Sequence, residues 1–265
     1  MPILRTVKNY LKAFAAKGVF KLMARDSQIV YMVLNCHPRK IAPRVILPAT
    51  DYVSGQIRKH FKVKEFGKTF RGEYNNVTLS IIESGVGAPI TAMTMEALKR
   101  AEVKSIIRVD YCGGLTKDIE VGDIVLCTEA ICGDGTTPHY FNMETPYIHV
   151  FPDSNLTALI KEDLESHKIQ FHEGPVWTHD ALFQEPPELI KKAADQGAIA
   201  IDMETSVVFG LGKLFNVPAA SVLVTTDNPA TGETFLEKNT LSSRIFQNLD
   251  RVIDRILAIL SSVNS

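Results

Sequence analysis

The sequence predicts an α/β protein, a three-layer sandwich whose central mixed β-sheet is flanked by helices on both faces. Two observations predict it. Short apolar, β-branched runs alternate with longer amphipathic stretches, the pattern of strands joined by helical crossovers. No internal repeat, low-complexity tract or long Pro/Gly linker divides the 265 residues. Residues 1–265 are therefore expected to form a single domain, near the upper size that one hydrophobic core serves.

The elements follow in chain order. Arg5, Lys8, Lys12, Lys17, Lys21 and Arg25 precede any acidic residue, and Leu4, Val7, Leu11, Phe14 and Ala15 recur at helical spacing. Residues 1–25 thus read as an extra basic amphipathic helix, either docked on the domain or serving as an organelle-targeting segment. Strands are expected over 29–34, 44–47, 77–83, 105–110, 123–132, 174–179, 199–203 and 219–226. Helices are expected over 51–60, 89–101, 154–167, 187–196, 204–215 and 236–262. In such sheets ligands lie beyond the carboxyl ends of the strands, so the residues just after each strand carry the functional expectations.

Composition narrows the function classes. Hydrophobic residues make up 45% and charged residues 22% of the chain, the balance of a folded soluble protein, and the formal net charge is −1. That charge gives no bulk attraction to nucleic acid or an anionic membrane. No apolar run has the length of a membrane span, and a cytoplasmic location is expected. Cys36, Cys112, Cys127 and Cys132 form no C-x-x-C pair and have no zinc-finger spacing. They read as reduced thiols in or near the core, with no metal expected.

Four strand exits carry chemistry. The turn Glu83-Ser84-Gly85-Val86-Gly87-Ala88-Pro89 runs from a strand into a helix. Gly85 and Gly87 permit close backbone approach, and the helix start offers free N–H groups to an anion; the bland alternative is a plain turn. In Ile106-Ile107-Arg108-Val109-Asp110, an arginine inside an apolar strand needs either a carboxylate partner such as Asp110 or an anionic ligand. In Asp202-Met203-Glu204, Glu204 either caps the next helix or accepts hydrogen bonds from a vicinal diol. Asp227, before Asn228-Pro229, is either a turn former or a general acid toward a departing heterocycle.

Taken together and in this order, these segments resemble the nucleoside phosphorylase family of hexameric purine nucleoside phosphorylases and uridine phosphorylases. The resemblance runs from about Cys36 to Asp227 and rests on "APRVILP", "ESGVGAP", "IIRVDYCGGL", "VGDIV", "VWTHDALF", "AIDMETSVVFG" and "VTTD". It implies phosphorolysis of a nucleoside N-glycosidic bond, with inorganic phosphate as co-substrate and no other cofactor. By the same resemblance Arg108, Gly85 and Gly87 bind phosphate, helped by Lys64 from a neighbouring subunit. Met203 and Glu204 hold the ribose, with Asp202 as a second acid and His37 lent to a neighbour's 5′-hydroxyl. Cys112, Gly113 and Phe183 face the base, and Asp227 protonates or hydrogen-bonds it. Glu204, Asp227 and Arg108 form the expected catalytic set, in a homodimer or homohexamer.

Departures from the family pattern keep other readings open. Where the family's first phosphate loop has Gly-Asp-Pro-x-Arg, this chain has Ala49-Thr50-Asp51-Tyr52-Val53, without the arginine. Asp110 and Tyr111 stand where the family has Gly and Ser or Thr. A nucleosidase using water is therefore an alternative, with Asp51 near the place of a hydrolytic glutamate. A non-catalytic nucleoside-binding protein is another. Asp227, and the lack of an Arg near Gln184, favour purine nucleosides over uridine. Arg244, from the last helix, is within possible reach of Asp227.

Overall fold

The computed structural model describes residue 20 and residues 22–141, 148–233 and 243–262. The expected basic helix over 1–25 lies, but for its last residues, outside them, as does the start of the expected helix at 236. In chain order the elements are α1 (Arg25–Leu34), β1 (Arg44–Ile46), α2 (Asp51–Ile57), β2 (Val63–Phe66), β3 (Thr69–Tyr74) and β4 (Val77–Ile82). Then come α3 (Ala88–Arg100), β5 (Ser105–Gly114), β6 (Ile124–Gly133), α4 (Thr137–Phe141), β7 (Ile148–Val150) and α5 (Ser154–Ser166). The chain continues through β8 (His172–His179), α6 (Pro187–Asp195), β9 (Ala200–Asp202), α7 (Thr205–Phe215), β10 (Ala219–Asp227) and α8 (Ser243–Ser262).

The described strands form one mixed sheet in the order β10-β6-β8-β9-β5-β1-β4-β3-β2, with β7 on β6. Because β10 also pairs in parallel with β5, the segment β5-β9-β8-β6-β10 closes on itself, and β1, β4, β3 and β2 extend from it as an open sheet. Helices α1, α3 and α7 bury Val30, Leu34, Met95, Leu98, Val208 and Phe209 against one face. Helices α2, α5 and α8 bury Val53, Ile57, Ile160, Leu164, Ile253 and Leu257 against the other. This is the expected three-layer α/β sandwich.

Side chains alternate across β5, so Ile107 and Val109 enter the second core while Ile106 and Cys112 enter the first. Arg108 and Asp110 share the Cys112 side of the strand by the same period of two. All four cysteines are buried and free. Among the described residues no group of His, Cys, Asp or Glu is arranged to hold a metal ion, and no helix is long and apolar enough to cross a membrane.

Two expectations are corrected. Residues 29–34 are not a strand but the end of helix α1, in which Val30, Val33 and Leu34 are buried while Tyr31 and Met32 are exposed. Burial at i, i+3 and i+4 is helical, and the unbroken apolar run concealed it. The hairpin β2–β3, turning at Gly67 (φ +61°), was not expected, because Val63-Lys64-Glu65-Phe66 is largely polar and lies at the sheet edge.

Candidate active site

A cavity of about 440 Å³ opens where β1, β5, β9 and β10 end. Its size is that of a small-molecule pocket. Arg108, Glu204 and Asp227 all line it, together with Asp202, Met203, Cys112 and Gly113. Three strands thus deliver a guanidinium and carboxylates to one hollow, as the sequence predicted.

Parallel pairing of β5 with β10 brings Asp227 opposite Gly113, just past a register shift at Thr225. Antiparallel pairing of β5 with β9 sets Ile201 on the other side of Gly113. A Cβ on Gly113 would stand 3.0 Å from Ile201 Cγ2 and 3.5 Å from Asp227 Oδ1. Glycine is thus what lets the two strand ends close over this part of the cavity.

Arg108 is buried, with 1% of its surface exposed. Its Nη2 donates to Glu204 Oε2 and lies 3.3 Å from Asp202 Oδ2. Asp110 was one expected partner, yet it accepts from the Ala49 N–H and, at 2.9 Å, from the Tyr111 N–H. Nε and Nη1 of Arg108 are buried without a hydrogen-bond partner among the described residues. Burial opposes the guanidinium charge, but Glu204, Asp202 and Asp110 outweigh it and hold Arg108 protonated.

Glu204 and Asp202 divide their labour. Glu204 occupies the N-cap position of α7, but its side chain makes no capping hydrogen bond. Instead Glu204 Oε1 accepts from the Gly87 N–H at 2.6 Å. Capping falls to Asp202, whose Oδ2 accepts from the Thr205 N–H at 2.9 Å and the Thr205 hydroxyl at 2.5 Å. Asp202 Oδ1 accepts from Thr178 Oγ1 at 2.8 Å. Burial pushes the Glu204 carboxyl up, and Arg108 pulls against that shift.

Asp227 ends β10 and lines the cavity. Burial raises its pKa, partly opposed by Thr226 Oγ1, which donates to Asp227 Oδ1 at 2.8 Å. Glu185 lines the same cavity, pushed up to about 7 by burial and by the charge of Asp227. The sequence reading gave Glu185 no role; its signal was an acid in the loop leading to the Pro186-Pro187 helix start. Tyr52, Tyr111 and Leu182 complete much of the wall.

Other expected positions fall elsewhere. Gly85 (φ +83°) and Gly87 (φ +101°) take the left-handed backbone their turn requires, but of that turn Val86 lines the cavity and the Gly87 amide is engaged by Glu204. Phe183 is 77% exposed and does not line the cavity; its neighbour Leu182 does. His37 is exposed at the start of a short 3-10 turn, its Nδ1 accepting from the Arg39 N–H at 3.2 Å. Lys64 lies on the β2 edge, so neither His37 nor Lys64 reaches the cavity of its own chain. Asp51 pairs on the surface with Arg58 at 2.6 Å, away from the cavity. Arg244 bonds Glu120 and Asp123 and not Asp227.

The family model of the phosphorylase superfamily matches residues 43–258. The chain belongs to that superfamily. A guanosine phosphorylase of Halorubrum lacusprofundi is 30% identical over 165 residues, covering 62% of this chain and 67% of the relative. A DeoD-type purine nucleoside phosphorylase of Bacillus cereus is 32% identical over 167 residues, covering 62% and 69%. The solved structure of a Vibrio fischeri uridine phosphorylase superposes with a TM-score of 0.75 at 22% identity, over 84% of this chain and 93% of that one. The phosphorylase fold is thus common to proteins named for purine and for pyrimidine nucleosides. In this phosphorylase-family chain, the cavity's one arginine is already bound to carboxylates of β9 and the loop after it.

Proposed function

We propose that this enzyme cleaves the N-glycosidic bond of a purine nucleoside by phosphorolysis, releasing the free base and ribose 1-phosphate. The observation that carries this reading is the convergence of Glu204, Asp227 and Arg108 on one cavity. The names of the guanosine and purine nucleoside phosphorylase relatives support both the reaction and the purine preference. A role in purine salvage in the cytoplasm follows from that reaction.

Glu204, raised on the Gly87 amide and backed by Arg108, accepts hydrogen bonds from the ribose diol, while Met203 packs on the sugar. Asp202, which caps α7 and lies against Arg108, is bonded through both oxygens to Thr178 and Thr205 and serves chiefly to position the guanidinium. Asp227, with its carboxyl raised by burial, gives a proton or a strong hydrogen bond to the base as negative charge develops on it. Cys112 and Gly113 form the floor beneath the base. Phosphate attacks the anomeric carbon from the side of Arg108, whose Nε and Nη1 have no partner among the described residues. His37 and Lys64 act only if a second subunit presents them, so this reading includes a homodimer or a hexamer of dimers.

Hydrolysis is the second reading, favoured by one observation: the Asp110 carboxylate accepts from the Ala49 amide inside the cavity. Asp51, the position first expected to serve water activation, is on the surface. Base release from a panel of purine nucleosides and uridine, with and without inorganic phosphate, tests both. Phosphorolysis requires phosphate-dependent release and ribose 1-phosphate among the products. Equal rates without phosphate select hydrolysis, and faster turnover of uridine refutes the purine preference.

A further inference from the structure

The cavity's donors are largely spoken for by the protein's own carboxylates. Glu204 takes the Gly87 amide and, with Asp202, Arg108 Nη2. Asp110 takes the Ala49 amide. Among the described residues, Nε and Nη1 of Arg108 are buried side-chain donors without a partner. Asp110 follows Arg108 by two residues on the same face of β5, so an anion placed on those free nitrogens lies next to a buried carboxylate. Among the described residues Arg108 is also the only cation in the cavity wall, against the acids Asp110, Glu185, Asp202, Glu204 and Asp227.

We propose that Asp110 is an internal competitor of the acceptor anion, a carboxylate that holds the Ala49 amide and must be displaced before inorganic phosphate binds beside Arg108. The proposal rests on the phosphorolytic reading above and adds to it the residue that sets how weakly phosphate is held. The geometry carries it: Ala49, Asp110 and Arg108 line one cavity, and the Asp110 carboxylate holds the Ala49 amide there. Burial raises the Asp110 carboxyl, with Arg108 and the two amides opposing the shift, so the group is costly to keep charged there. A buried acid with both oxygens on backbone amides is a built part of the cavity, not a stray surface charge, and its hold on the Ala49 amide is what phosphate has to break.

Calorimetric titration of inorganic phosphate alone into the wild type, Asp110→Gly and Asp110→Asn tests the proposal. In Asp110→Gly, which removes both charge and bulk, phosphate affinity is expected to rise at least about tenfold, as loss of a like charge from the same cavity wall predicts. Asp110→Asn keeps the shape without the charge and is expected to recover a smaller part of that gain. Phosphate affinity unchanged or weaker in both variants, with melting temperature and nucleoside binding preserved, overturns the proposal. If Asp110→Gly does not fold, the isosteric Asn variant decides on the same criterion. The two layers fail separately. Tighter phosphate binding without base release by any of the three proteins removes the phosphorolytic reading and leaves Asp110 as the competitor. Phosphate-dependent base release with unaltered phosphate affinity does the reverse.

Discussion

Replacing Arg108 by methionine removes the cation that pairs with Glu204 and Asp202 in a buried cluster while leaving these carboxylates behind. Arg108 Nη2 contacts both Glu204 and Asp202, and these side chains are almost fully buried. Breaking a buried ion pair from one side costs about 3–5 kcal/mol, because the remaining charge is left uncompensated. At about 2–4 °C per kcal/mol for a chain near this size, the melting temperature at pH 8 falls by about 6–20 °C. The sign of the pH dependence follows from the carboxylates. Without Arg108 the Glu204 carboxyl, already raised by burial, rises further, so the folded variant holds its proton to higher pH than the unfolded chain. The penalty is therefore full at alkaline pH and shrinks as pH falls and Glu204 becomes neutral. Thermal denaturation of wild type, Arg108→Met and Arg108→Met/Glu204→Gln from pH 5 to 8 measures this. The double variant is expected to recover part of the loss at pH 8. A melting temperature within about 2 °C of wild type at pH 8, or a deficit independent of pH, refutes the ion-pair account.

Three further expectations follow from the same site. Asp227→Asn, which keeps the shape but supplies no acid, lowers kcat on purine nucleosides by at least about 10²-fold; unchanged turnover in a base-release assay removes Asp227 from the chemistry. Glu185, held near 7 by burial and Asp227, has a folded pKa above its unfolded value. Its stabilising contribution is thus present at low pH and lost as pH rises from about 4.5 to about 7. Glu185→Gln is expected to match wild type at pH 4.5 and to exceed it by about 1–2 kcal/mol at pH 8 after allowance for partial exposure. Equal stability at pH 8 in denaturant unfolding contradicts that environment. Gly113→Ala places a methyl group against Ile201 and Asp227, with an expected cost of about 1–3 kcal/mol and a lower kcat/KM; a fully active, equally stable variant shows that the strands have room to spare.

Much of this arrangement was legible in the sequence because the chemistry lies at strand exits. Apolar runs bounded by Gly, Asp or Pro marked β1, β4, β5, β6, β8, β9 and β10, and the acids at the ends of β9 and β10 line the cavity. What failed was of another kind. Residues 29–34 are apolar at every position, so no period was there to tell a helix from a strand. The hairpin β2–β3 is too polar to announce itself. Within the site, which carboxylate meets which donor depends on how loops from distant segments settle together. Arg108 was left between a ligand and a neighbour on its own strand, whereas its partner is 96 residues away. Asp202 and Glu204 exchanged the capping role for the same reason. Glu185 entered the wall because its loop reaches the cavity that Asp227 also lines, a placement without a local signature.

The edge hairpin has a consequence for assembly. Lys64 pairs across β2–β3 with Arg71, and Arg71 Nη1 donates at 2.8 Å to the carbonyl of Arg39, in the turn that His37 opens. The Lys68 amide ties the hairpin tip to the Leu34 carbonyl at 2.8 Å, and Cys36 Sγ lies 3.4 Å from Thr69 Oγ1. The segments bearing the histidine and the lysine are therefore bolted to each other before any second subunit arrives. Under the proposed oligomeric reading, a second copy docking along this edge would receive both as one rigid tool, and loosening the hairpin would blunt the two together.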